Sequence, residues 1–136
     1  MAAGFGVRPD LRLGSRWLLV GGFVLLTVML VSLIPIHREP SSEFTYLDKV
    51  AHFIVFIGLM LFFNGFMQPR LRLQVALLLL CCGILIELLQ IPVPGRSAEL
   101  ADFWADALGI AIGWLLAASE RFNWCHWLEA ATARNG

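Results

Sequence analysis

Read for hydrophobic and polar positions, the chain is a series of long apolar runs interrupted by short polar stretches that carry proline. The first run covers residues 17–34 (WLLVGGFVLLTVMLVSLI) and stops at Pro35. Those 18 residues, at ~1.5 Å of rise each, reach about 27 Å, close to the ~30 Å hydrocarbon thickness of a bilayer. The second run covers 50–67 and ends at Gln68-Pro69, and the third covers 73–90 and ends ahead of Pro92 and Pro94. A shorter fourth run covers 103–118. Proline has no backbone N–H to continue a helix, so each boundary has a physical cause. The pattern predicts an all-α, integral membrane four-helix transmembrane bundle over 17–118, with tails at 1–16 and 119–136. Arginines precede the first run, as they do in a cleaved signal peptide. The run is longer than the usual ~7–15 residues and no A-x-A-like site follows it, so a retained helix is expected.

Composition agrees with lipid as the main solvent. Hydrophobic residues are 59% of 136, charged residues 15%, and mean hydropathy is +0.77. A soluble chain is ~45–50% apolar and about 25% charged. The length leaves no room for a separate catalytic domain. Net charge is zero, and without a long basic run no nucleic-acid partner is expected. Cys81, Cys82 and Cys125 are read as reduced, since adjacent cysteines within one helix are poorly placed to pair.

Lysine and arginine in the short loops set the expected orientation. The N-terminal tail (Arg8, Arg12, Arg16), the second loop (Arg70, Arg72) and the C-terminal tail (Arg121, Arg134) hold seven, against three (Arg38, Lys49, Arg96) on the other side. Both termini are therefore expected in the cytoplasm. Trp17, Trp104 and Trp114 stand near span ends, where interfacial anchors occur. His37 and Arg38 are expected to face water, and Asn64 to hydrogen-bond a neighbour. The tail around His126 and Trp127 is expected on the membrane surface.

Polar residues inside the spans change the picture further. Asp48, Lys49 and His52 open the second helix, Glu87 and Gln90 close the third, Arg96 follows in the loop, and Asp102 and Asp106 open the fourth. With alternating helix directions, all eight fall at one end of the bundle, the end away from the termini. Charges beside a span are costly and usually face the bundle interior or a water-filled cavity. Asp48 and His52 are i, i+4 and share a face. Asp102, Asp106, Gly109 and Gly113 follow one helical stripe, so acids and close-packing glycines point the same way. Each has a plainer reading: Asp48 and Asp102 as helix N-caps, Gln90 and Asp106 as interhelical hydrogen bonders, Glu87 as half of a locking pair with Arg96 or Lys49. In the functional reading, Arg96 and Lys49 hold a phosphate or carboxylate, and His52 and Glu87 are a candidate general acid–base pair. No ligand spacing such as H-x-x-x-H or C-x-x-C occurs, so neither a metal nor a cofactor is expected, a carboxylate-and-histidine metal site being the lesser alternative.

These motifs resemble the VanZ-like family. Asp48-Lys49-Val50-Ala51-His52-Phe53 is similar to its D-K-x-x-H-F signature. Glu87-Leu88-Leu89-Gln90 with Val93-Pro94-Gly95-Arg96, and Asp102 leading into a helix containing Gly109, extend the likeness over about residues 33–116. Family members commonly carry Asn where this chain has Asp106. The resemblance implies a multi-pass protein of the bacterial inner membrane, related to a protein associated with low-level resistance to the glycopeptide teicoplanin. The expected partners are membrane lipid and a lipid-linked or cell-wall envelope component, bound or modified at the outer leaflet. The alternative is a non-catalytic structural or accessory protein whose polar cluster stabilises helix packing or a partner contact.

Overall fold

The structure is a computed structural model that describes residues 6–35, 42–96, 98–119 and 124–134, with the backbone alone at 42–45 and 134. His37, Arg38, Ser97 and Arg121 lie outside the described residues. Among the described residues the fold is helical: α1 (Gly14–Ser32), α2 (Ser42–Phe66), α3 (Arg72–Gln90), α4 (Leu100–Ala117) and α5 (Trp124–Arg134). A single 3₁₀ turn, Pro69–Leu71, leads into α3. α1, α3, α4 and the Tyr46–Phe66 part of α2 are long and apolar enough to cross a membrane.

Two boundaries differ from the sequence expectation. α2 starts eight residues earlier than the apolar run, at Ser42 rather than 50, so Asp48 stands in its second turn and is not an N-cap. The run of Ser42 to Leu47 holds no proline or glycine to stop a helix, and only its polarity hid it from a hydropathy reading. α4 starts at Leu100 with Glu99 as its N-cap residue, which puts Asp102 inside the first turn.

Polarity is inverted relative to a soluble bundle. Leu19 is 76% exposed and Phe23 71%, while Asp102 is 2% and Asp106 0% exposed. The outer apolar shell suits lipid, and the carboxylates have gone inside, where the described helices supply partners. In lipid, helices gain nothing from hiding apolar surface from one another, so close backbone approach has to hold them together. Gly109 and Gly113 provide it: a Cβ on Gly109 would stand 2.5 Å from the Phe53 carbonyl oxygen, and one on Gly113 would stand 2.7 Å from Met60 Cβ. α2 and α4 consequently form the most extensive interface of the bundle. Of the four long apolar helices, α1 is the loosest, with Gly14 and Gly21 as its buried residues.

The end carrying both termini is stitched by backbone and side chains. Arg8 N–H donates to Phe66 O and Gln68 N–H to Gly6 O, both at 2.9 Å. Asn64 accepts from Arg72 Nε at 3.1 Å and donates to Met60 O at 2.7 Å. Arg72 also donates to Ala117 O at 2.9 Å, placing a cation on the carbonyl end of α4. The tail forms α5, which is docked on the bundle. Trp124 packs edge-on to Trp17, and Cys125 is fully buried, its thiol pushed up to about 12 by that burial. His126 and Trp127 are on the exposed side of this helix. Of the tryptophans near span ends, Trp17 and Trp114 pack against the core and Trp104 is exposed.

Glu129 of α5 closes this end. Its carboxylate accepts from Arg12 N–H (2.7 Å), Leu13 N–H (3.1 Å) and Trp17 Nε1 (2.9 Å), at the positive end of the α1 dipole. Burial alone would push its pKa up, but the Trp17 bond, the two backbone donors and the Arg12 charge together hold it below the ordinary carboxyl range. A lowered folded-state pKa contributes stability that is present above the unfolded value of ~4.3 and is lost as pH falls through the folded value. Wild type should therefore melt higher than Glu129→Gln at neutral pH, with the gap closing below about pH 4. A gap that stays constant down to pH 3 would show that the carboxylate charge contributes nothing there.

Candidate functional site

The polar end of the bundle is assembled from four segments. α2 contributes Asp48, Lys49 and His52, spaced so that all reach toward α4 and the loop before it. α3 ends in Glu87 and Gln90 because Pro92 and Pro94 prevent its continuation. Arg96 N–H donates to Val93 O at 3.1 Å, closing a turn with Pro94 in second place and Gly95 at φ 78° in third. That is the type II pattern, which glycine adopts without steric cost. The turn aims Arg96 back at the bundle, where Nη1 lies 3.2 Å from Asp48 Oδ1 and Nε 3.4 Å from Ile34 O.

All eight residues selected from sequence meet in this region. Lys49 Nζ bonds Glu99 Oε2 at 2.6 Å and stands 3.4 Å from Asp102 Oδ1. His52 Nδ1 is 3.0 Å from Asp106 Oδ1, a pair with side chains 9% and 0% exposed. Glu87 does not pair with Arg96 or Lys49; its Oε2 accepts the Glu99 N–H at 2.9 Å. Gln90 donates to Ser32 O at 2.9 Å, tying α3 to the end of α1. No hydrogen bond joins His52 to Glu87 among the described residues, so the two do not form a dyad; Asp106 is the partner that orients the imidazole. Gly83 leaves room for the Asp106 carboxylate, since a Cβ there would lie 2.5 Å from Oδ2.

Among the described residues, Lys49 and Arg96 are thus committed to carboxylates, and the carboxyl groups of Asp48, Glu87, Glu99, Asp102 and Asp106 gather around them. Three buried oxygens, Glu87 Oε1, Asp102 Oδ1 and Asp106 Oδ2, accept no hydrogen bond. Glu99 escaped sequence reasoning because it precedes the apolar run; its position three residues before Asp102 was the available signal.

A cavity of about 260 Å³ opens beside this cluster. Asp48, His52, Gln90 and Arg96 line its polar end, and Thr27, Val28, Val31, Ala51, Val55 and Phe56 continue its wall along α1 and α2. The volume approaches the ~300–1,000 Å³ of small-molecule sites. Ser32 and Thr27 were not singled out from sequence, where each is one hydroxyl within an apolar run.

A helical bundle with an apolar outer shell and its carboxylates held inside defines a multi-pass membrane protein. The family model described as VanZ/LLP1 matches residues 14–122, and the chain belongs to that family. No curated protein and no solved structure matched the chain.

Proposed function

We propose that this protein binds an amphipathic component of the bacterial cell envelope. The polar part of that component would lie among Arg96, Asp48, His52 and Gln90, and its apolar part along α1 and α2. The observation that carries this reading is the cavity itself, charged at one end and walled by valine and phenylalanine along the rest. The loose seating of α1 supports it, because a guest lying against α1 displaces little protein packing. Of the two acid–base candidates, His52 lies on the cavity and Glu87 does not, which favours binding over catalysis. The arginine bias of the loops supports cytoplasmic termini in the inner membrane and a polar end at the outer leaflet. An effect on glycopeptide (teicoplanin) susceptibility would follow from sequestering an envelope component and belongs to the same proposal.

The ion pairs Arg96–Asp48 and Lys49–Glu99 favour a second, purely structural reading, since each joins separate segments of the chain. The two separate in one experiment. Lipid extracted from purified protein is compared between wild type, Arg96→Ala and Val28→Trp, which fills the apolar wall. Binding predicts a selectively retained envelope lipid, reduced several-fold by both substitutions in protein that still elutes as a folded species. Equal retention in all three would leave the structural reading. An Ala98→Cys variant without the native cysteines, labelled by an impermeant maleimide in intact cells, tests the assigned side; labelling only after permeabilisation would reverse it.

A further inference from the structure

We propose that Asp48, His52 and Asp102 form a binding site for one divalent transition-metal ion at the polar end of the bundle. One carboxylate oxygen from each aspartate and one imidazole nitrogen lie within 4.8 Å of one another. Ligands at ~2.0–2.2 Å from a zinc ion stand about 3.5 Å apart in a tetrahedral shell. Asp48, whose side chain is 21% exposed and paired with Arg96 at 3.2 Å, would turn from that guanidinium to close the remaining distance. Two oxygens and one nitrogen suit Zn²⁺ or Mn²⁺ and leave coordination positions open.

An independent observation points to a cation here. Asp102 is 2% exposed, and its Oδ1 accepts no hydrogen bond; among the described residues the permanent cation beside it is Lys49 at 3.4 Å. A buried carboxylate oxygen in that condition is costly without a further partner. His52 is also prepared as a ligand. Asp106 engages Nδ1 and thereby orients the ring with Nε2 available, the arrangement by which a carboxylate commonly supports a metal-bound histidine. Neither α2 nor α4 alone carries a recognisable metal spacing; packing of Gly109 against α2 brings the ligands together.

Metal binding stands apart from the lipid reading. Its consequence deepens that reading: an acidic pocket repels a phosphate headgroup, and a metal held beside Arg96 would accept one. The test is titration of the full chain in detergent, purified without a histidine tag, with Zn²⁺ alone. Wild type is expected to take up one equivalent. His52→Ala and Asp102→Asn should bind at least tenfold more weakly, while Arg96→Ala, which removes a competing cation, should bind no more weakly than wild type. Absence of a stoichiometric ion in wild type, or undiminished binding in both ligand variants, would overturn the site. A measurement on wild type covers variants that fail to fold: Zn²⁺ should protect His52 from carbethoxylation, localised by mass spectrometry, and unprotected His52 would count against the proposal. Lipid content of the same samples separates the two readings, since metal uptake is expected with or without retained lipid.

Discussion

Gly109→Val should eliminate the folded protein. The new Cβ would press within 2.5 Å of the Phe53 carbonyl oxygen and 3.2 Å of Phe56 Cβ. The nearer of these is backbone, which has no rotamer to escape into, so the axes of α2 and α4 must separate. Overpacking a core typically costs ~1–3 kcal/mol and occasionally more; here the cost falls at the upper end, because separation also pulls apart His52–Asp106 and Lys49–Asp102. The monodisperse peak on size exclusion should disappear. Gly58→Val is the control, since nothing lies within 4 Å of a Cβ at that position. Equal behaviour of the two variants would mean that close approach at Gly109 does not organise the bundle.

Asp106→Ala should be the most damaging change among the polar residues. Removing one partner of a buried ion or hydrogen-bonded pair costs roughly 3–5 kcal/mol, whereas single hydrogen bonds in membrane bundles average only ~0.6 kcal/mol. The larger figure governs, for two reasons. The carboxylate is fully buried, so its loss leaves a hole beside Gly83, and it strands the imidazole of His52 without its partner. Asp106→Asn keeps the shape and a carbonyl oxygen that can accept from Nδ1–H, so it should lose clearly less. Reversible unfolding in mixed micelles measures both. A loss below about 1 kcal/mol for Asp106→Ala, or equal losses for Ala and Asn, would show that the pair contributes little to the fold.

The spans were legible in the sequence because proline boundaries and hydropathy are local properties. The polar end was legible as well, since helix direction alone carries Asp48, Glu87 and Asp102 to the same level of a bundle. Partner choice was not. Glu87 bonds the backbone of Glu99 rather than an arginine, and that depends on how the loop after Gly95 returns, a three-dimensional property. α5 was missed as an anchored helix for a similar reason. Its sequence is amphipathic enough for a membrane surface, and only Trp17, Phe62 and the α1 terminus explain why it docks. The cavity was invisible because it arises from what α1 fails to fill.

Glu129 also has a consequence for how the protein is made. Its three hydrogen-bond donors lie 112 to 117 residues earlier in the chain. The first helix enters the membrane with its leading end unfinished, and stays so until Glu129, more than a hundred residues further on, has left the ribosome. Assembly at that end therefore follows synthesis of the four described spans, and a chain cut a few residues short of Glu129 would have those spans yet lack this clasp.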